Sequence, residues 1–124
     1  APHTAEEKKQ DLQSAPFGLS GLETSVGVTF TYLVHTGKLS VEDAITKMTV
    51  NPSKVMGLRE GKLEVGGDAN LTIIDPHLEW IVDKDQFYSK SENSPFIGHK
   101  LKGKVVLTIY KGKIVYDKDK GVFS

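Results

Sequence analysis

Apolar residues recur at helical spacing in the first half of the chain, at Leu22, Val26, Phe30, Leu33 and Val34. The stretch Ser20-Gly21-Leu22-Glu23 just before them has the spacing of a capping box, in which Ser20 and Glu23 satisfy each other's backbone N–H groups. Gly37 follows the pattern and can take the left-handed conformation that ends a helix. The pattern therefore predicts a first helix that begins at Ser20, ends at Gly37 and depends on burial of its apolar face.

Two shorter helices are predicted to follow. Ser40 has the spacing to cap the first of them together with Asp43, and apolar residues then fall on one face. Asn51 and Pro52 are predicted to end that helix and to begin the next one, with Asn51 as its cap and Pro52 in its first turn. Gly57 is the predicted end of the third helix.

The second half of the chain has the patterns of β-strands. Residues 71–75 form a β-branched run that Pro76 is predicted to close, and apolar and polar residues alternate over residues 78–83. Residues 84–103 are polar and irregular, with two glycines and a proline among them. We therefore expect two separate strands here, followed by a loop.

A hairpin is predicted near the end of the chain. Residues 105–110 and 113–116 flank a Lys-Gly pair, and Gly112 can adopt the positive φ that a tight hairpin turn needs. Helical patterns thus occupy residues 1–57 and strand patterns residues 58–124. This change is the predicted domain boundary, and the chain as a whole is predicted to be α+β.

Composition narrows the possible functions. The 124 residues contain 16 basic and 16 acidic side chains, so no net charge favours binding to nucleic acid or to an anionic membrane. The absence of cysteine excludes disulfides, thiolate catalysis and cysteine-ligated zinc. No apolar run reaches the roughly 18 residues of a membrane span. We expect a cytoplasmic protein with no nucleic-acid or membrane partner.

Two polar stretches near the start are candidates for chemistry. His3 follows a rigid proline, and a neutral imidazole can both donate and accept a hydrogen bond, which suits it to orienting an anionic ligand. In the second stretch, Phe17 supplies an apolar wall and Gly18 allows a ligand to approach the backbone. A plain surface loop remains the alternative. The other histidines, His35, His77 and His99, have no metal-ligand spacing and are interpreted as surface or hydrogen-bonded residues.

Several longer motifs resemble one family. "APHTAEEK" and "APFGLSGLET" resemble motifs of bacterial dihydroorotases, which belong to the barrel-type amidohydrolase superfamily. "LSVEDAITKMTVNPSKVMGL" resembles the closing helices of that family, and "SKSENSPFIGHKLKGKVVLTIYKGKIVYD" resembles its tail. "GKLEVGGDANLTIID" is similar to a turn shared by many superfamily members, with Asn70 where Asp is more usual. The resemblance covers nearly the whole chain.

The resemblance implies a parent enzyme with an α/β TIM barrel and a small β-sandwich domain. Residues 1–57 would be the end of the catalytic barrel, and residues 58–124 part of the small β-domain. In the family, His3 belongs to an Asp-His-Ala-Pro-His run, so the chain is expected to be a carboxyl-terminal fragment that starts just after the Asp-His pair. Because the first helix would then lack its barrel strands, we expect an exposed apolar face, with self-association, a retained upstream portion or disorder of the first 40 residues.

The implied reaction is the reversible, zinc-dependent cyclisation of N-carbamoyl-L-aspartate to dihydroorotate in pyrimidine biosynthesis. By resemblance His3 would contact the substrate carboxylate, and Phe17 and Gly18 would contact the substrate ring through their backbone. No catalytic residue and no zinc ligand is expected in this chain, since the family's ligands lie upstream. The chain alone should therefore be inactive.

Other interpretations stay open. The parent could be a different cyclic amidohydrolase, such as a hydantoinase or an allantoinase, although "APFGLSGLET" argues against it. It could also be a non-catalytic dihydroorotase-like subunit that acts as a scaffold, or a free-standing binding module. Expected partners are the small-molecule substrate and either a second copy or the missing amino-terminal portion.

Overall fold

The computed structural model describes residues 3–11, 13–58 and 61–123. The helical elements are α1 (Ala5–Lys8), α2 (Ser25–Thr29), a π-helical turn (Phe30–Val34), α3 (Val41–Met48), α4 (Val50–Val55) and a 3-10 turn (Lys84–Gln86). The strands are β1 (Leu71–Ile81), β2 (Lys100–Tyr110), β3 (Lys113–Asp117) and β4 (Gly121–Val122). They form one antiparallel sheet in the order β1-β2-β3-β4, so the predicted α+β organisation of the chain is confirmed.

The capping box predicted at Ser20 is wrong. Helix α2 begins only at Ser25, and no side chain caps it. The Glu23 carboxylate instead accepts hydrogen bonds from the N–H groups of Tyr88 (2.8 Å) and Ser89 (2.9 Å). A carboxylate engaged by a distant loop cannot fold back on its own helix, so residues 22–24 form a turn rather than a first helical turn.

The other helix ends follow the sequence more closely. The Asp43 N–H donates to the Ser40 hydroxyl at 3.0 Å, which confirms the predicted cap of α3. Gly37 and Gly57 have φ of 74° and 68°, which confirms both predicted helix ends. Asn51 lies inside α4 instead of capping it, because α4 begins at Val50, two residues before the predicted start at Pro52.

Pro76 does not end a strand as predicted. The register between β1 and β2 shifts between the pairs Asp75–Lys104 and Glu79–Lys102, so Pro76 lies in a bulge. A proline lacks the N–H that would donate to the neighbouring strand in a regular β-ladder, whereas a residue in a bulge does not have to make this hydrogen bond. β1 is therefore one strand of 11 residues where two were expected.

Strand β2 begins at Lys100, inside the segment expected to be irregular. It continues to the predicted hairpin, where Gly112 has φ of 77° and Lys111 has φ of 49°. The hairpin is confirmed, and the positive φ of Lys111 is a feature that the sequence did not indicate.

The core lies where α2 and the π-helical turn pack on β2. Its fully buried apolar side chains are Phe30, Ala44, Val82 and Leu101. Phe30 packs against Gly103 of β2, so the expectation that it faces missing barrel strands is wrong, whereas Leu22 is 86% exposed as expected. No helix among residues 3–11, 13–58 and 61–123 is long and apolar enough to cross a membrane.

Candidate substrate-binding cleft

Helix α1 begins with a reciprocal cap that fixes the segment next to His3. The Glu7 carboxylate accepts from the Thr4 N–H (2.6 Å) and from the Thr4 hydroxyl (3.0 Å), and the Glu7 N–H donates to the same hydroxyl (3.2 Å). The two bonds that the carboxylate accepts, the one from the Thr4 N–H first, lower the pKa of Glu7 below its usual value. His3 Nδ1 lies 3.9 Å from the Glu7 carboxylate, which therefore also faces the imidazole.

The end of α1 holds a neighbouring loop. The ammonium of Lys8 donates to the backbone carbonyls of Pro16 (2.8 Å), Phe17 (3.1 Å) and Gly18 (2.7 Å). Three carbonyls converge on one cation, an arrangement that fixes the path of residues 16–18 relative to α1.

Asn93 holds the same loop from the other side. Its amide Nδ2 donates to the Gly18 carbonyl at 3.2 Å, and its backbone carbonyl accepts from the Ser20 N–H at 2.7 Å. Gly18 has φ of 102°, a conformation that L side chains rarely adopt, so a glycine is required at this bend. The loop between α1 and α2 is thus anchored to the segment that precedes β2.

His3, Phe17 and Gly18, the three predicted site residues, line one cleft of about 740 Å³. The cleft is also lined by Thr4, Lys8, Lys9, Leu19, Ser20, Lys90, Ser91, Glu92 and Asn93. Phe17 is 95% exposed, so its aromatic ring adds apolar surface to the lining of the cleft. The structure therefore brings together all three residues that the sequence singled out.

Positive charge predominates in this cleft. Among the described residues that line it, three are lysines and one, Glu92, is a carboxylate, which lies 3.5 Å from the ammonium of Lys84. A concave surface with excess positive charge attracts anions. The cleft is suited to a small carboxylate ligand.

A second cleft, of about 730 Å³, lies over the sheet and contains none of the predicted site residues. Its polar groups are largely engaged within the protein: Trp80 Nε1 donates to the Gly103 carbonyl at 3.1 Å, and the Lys104 ammonium lies 4.7 Å from the Trp80 ring centroid. Burial, together with nearby Lys118, lowers the pKa of Lys104. Glu23 also lines this cleft; partial burial acts to raise its pKa, but hydrogen bonds from Ser89 and Tyr88 lower it overall.

The remaining histidines are engaged in structural contacts. His35 Nε2 lies 2.7 Å from the Pro76 carbonyl, and His99 Nδ1 lies 3.1 Å from the Tyr32 hydroxyl. The His77 ring is 5.8 Å from that of His35. Among the described residues, no group of three or more His, Cys, Asp or Glu side chains could hold a metal ion.

Sequence reasoning missed both residues that anchor the loop. Lys8 belongs to "APHTAEEK" and Asn93 to the tail motif, so the motifs contained them without indicating what they contact. The Thr4-Ala5-Glu6-Glu7 spacing is the signal of a capping box that could have located the start of α1.

Comparison with known proteins shows the family. The amidohydrolase family profile matches residues 19–115. A dihydroorotase from Thermoanaerobacter sp. (strain X514) is 47% identical over 120 residues, which is 97% of this chain and 28% of that relative. A dihydroorotase from Pelotomaculum thermopropionicum is 50% identical over 115 residues, covering 93% of this chain and 27% of that relative.

A solved structure agrees with the sequence matches. The L-hydantoinase (dihydropyrimidinase) from Arthrobacter aurescens is similar with a TM-score of 0.83 and 37% identity, over 92% of this chain and 26% of that one. The chain spans just over a quarter of the length of the relatives it matches. Since the family profile covers most of its residues, the chain belongs to the amidohydrolase family.

Proposed function

We propose that this chain is the carboxyl-terminal portion of a dihydroorotase, which catalyses the reversible cyclisation of N-carbamoyl-L-aspartate to dihydroorotate. The observation that carries the proposal is the identity of 47% and 50% to dihydroorotases over nearly the whole chain. Residues 1–57 would complete the catalytic barrel, and residues 58–124 would belong to the small β-domain. The parent is expected to be a cytoplasmic homodimer.

The chemistry of the cleft supports a carboxylate substrate. Dihydroorotate and N-carbamoyl-aspartate are both anions, and the cleft carries three lysines against one paired glutamate. His3, at the same cleft, would donate a hydrogen bond to the substrate carboxylate. Phe17 and Gly18 would contact the substrate ring from the backbone of the anchored loop.

The family is typically metal-dependent, and zinc is the metal we expect in the parent enzyme. The described residues include no group that fits a metal ion, so none of them is assigned a step that involves zinc. The role proposed for this chain is to bind and orient the substrate. The zinc ligands would belong to a part of the parent outside this chain.

The second candidate is a hydantoinase-type enzyme, which the 37% identity and the close fold of the A. aurescens L-hydantoinase (dihydropyrimidinase) favour. Dihydrouracil is dihydroorotate without its carboxylate, so the two compounds separate the candidates. A cationic cleft should bind dihydroorotate more tightly than dihydrouracil, because only dihydroorotate has a carboxylate that the positive charge attracts.

The test compares the isolated chain with the longer protein that contains it. We expect the longer protein to hydrolyse dihydroorotate and to leave dihydrouracil essentially unchanged, as followed by the ultraviolet absorbance of the ring. The isolated chain should turn over neither compound.

Three outcomes would contradict the proposal. Turnover of dihydrouracil in preference to dihydroorotate would support the hydantoinase alternative. Loss of both activities in a folded, zinc-loaded longer protein would support a non-catalytic scaffold. Turnover by the isolated chain would show that it carries its own catalytic residues.

A further inference from the structure

We propose that Lys8 is a positioning residue, which holds the loop of residues 16–18 so that Phe17 and Gly18 offer N–H donors to the substrate. The inference rests on the proposed function and specifies how this loop meets its ligand. Lys8 itself would not contact the ligand.

The first observation is that the hydrogen-bonding capacity of Lys8 is fully used. An ammonium has three protons, and three backbone carbonyls accept from it at 2.7–3.1 Å, those of Pro16, Phe17 and Gly18. Lys8 is half-buried, whereas its neighbour Lys9 is exposed. Lys8 can therefore contribute its charge to the cleft, while its hydrogen bonds all serve the loop.

The second observation concerns the Gly18 carbonyl. A carbonyl oxygen has two lone pairs, and this one accepts from both Lys8 Nζ (2.7 Å) and Asn93 Nδ2 (3.2 Å). Both acceptor positions are filled. A ligand that forms a hydrogen bond with the backbone of Gly18 must therefore accept it from the glycine N–H group.

The amide donors of the loop are available for such a contact. Within the described part of the chain, the N–H groups of Phe17 and Gly18 have no hydrogen-bond acceptor. Both residues line the cleft. The loop thus presents donors, and it selects ligands that place oxygen acceptors there, either a ring carbonyl or a carboxylate.

Loss of the ammonium should affect the loop rather than the fold. The hydrogen bonds to Phe17 and Gly18 are exposed and the one to Pro16 is partly buried, so water can replace most of what the lost donor supplied. Residues 16–18 also belong to no helix or strand. Substrate binding would weaken because the loop would no longer be held in one conformation before the ligand arrives. An interaction made equally with substrate and transition state changes KM and leaves kcat nearly unaltered.

The test uses Lys8→Met in the longer protein, with Lys8→Arg as the conservative variant and Lys47→Met as the matched control. Lys47 is exposed on α3 and does not line the cleft. For Lys8→Met we expect KM for dihydroorotate to rise about tenfold or more, the factor for one lost hydrogen bond to a charged group, with kcat changed less than about twofold. Lys8→Arg should recover part of the loss, and Lys47→Met should behave as the unmodified protein.

Amide hydrogen exchange gives a second, activity-independent readout. The Ser20 N–H, which donates to the Asn93 carbonyl at 2.7 Å, should exchange about tenfold faster in Lys8→Met, while peptides from β1 stay unchanged. Unaltered loop exchange would overturn the inference, and so would a loosened loop with an unaltered KM. If the unmodified protein does not turn over dihydroorotate, the proposed function fails, and the exchange result alone then decides whether Lys8 holds the loop.

Discussion

Gly103 allows the aromatic ring of Phe30 to lie directly on strand β2. A Cβ added at Gly103 would lie 2.6 Å from the Phe30 Cβ and 2.8 Å from its Cγ, and the φ of Gly103 is 100°. Phe30 is only 1% exposed, so its ring has little room to move away. We expect Gly103→Ala to lower the free energy of unfolding by about 2–5 kcal/mol, from backbone strain and overpacking together. Urea denaturation of the purified chain measures this change.

Gly66→Ala is the matched control for that substitution. Gly66 also has a positive φ, 83°, but a Cβ there meets nothing within 4 Å. Only the conformational cost of about 1–2 kcal/mol is expected. If the two substitutions lower the free energy of unfolding equally, the contact with Phe30 adds nothing to the cost of Gly103→Ala.

The residues that line the cleft were predictable from the sequence to different degrees. His3, Phe17 and Gly18 could be selected because motif resemblance and side-chain chemistry agreed, and they do line one cleft. Lys8 could not be assigned, since a lysine at the end of a helix usually faces solvent. Asn93 contacts Gly18 across 75 positions of the sequence, a separation that no local pattern reports.

At the scale of elements, the Thr31 side chain joins the π-helical turn to β2. Its hydroxyl accepts from the Lys102 N–H at 2.8 Å and donates to the Lys102 carbonyl at 3.2 Å. Strand β3 pairs with β2 only over residues 107–110 and does not reach Lys102. The Thr31 side chain therefore makes the hydrogen bonds to Lys102 that a neighbouring strand would otherwise make. We expect Thr31→Val to lower the free energy of unfolding by about 1–3 kcal/mol, because it leaves both backbone groups unpaired.

Thr31→Ser is the matched variant, since it keeps the hydroxyl and removes only a methyl group. It should cost less than Thr31→Val, and the Lys102 amide should stay protected from hydrogen exchange. If valine proves as stable as serine, the two hydrogen bonds do not hold the turn on the sheet.

Elements were predictable where local chemistry decides the outcome. The Ser40 cap and the hairpin at Gly112 depend on residues a few positions apart, and both are confirmed. The capping box at Ser20 failed although its spacing was right, because Glu23 binds backbone N–H groups 65 and 66 positions away. The prediction that Pro76 ends a strand was wrong because Pro76 lies in a bulge. A bulge depends on the register between β1 and β2, which cannot be deduced from the sequence of β1 alone.

At the scale of the whole molecule, the chain exposes more surface than a compact protein of its size. Its accessible area is 9271 Å², whereas a folded monomer of this mass is expected to expose about 6,600 Å². Several apolar side chains contribute to the excess, including Leu22, Val55, Leu63 and Val65, each at least 85% exposed. An excess of this kind is typical of a surface that is covered in the functional state.

We therefore expect the isolated chain to self-associate in solution, and the remainder of the parent protein to prevent this by covering the same surface. Sedimentation velocity over a range of concentrations should show a sedimentation coefficient that rises with concentration for the chain alone. The longer protein, which provides its own covering surface, should show one species whose size does not change with concentration. A compact monomer of the isolated chain at every concentration would mean that the exposed residues rearrange to cover one another, and the excess area would then not mark an interface.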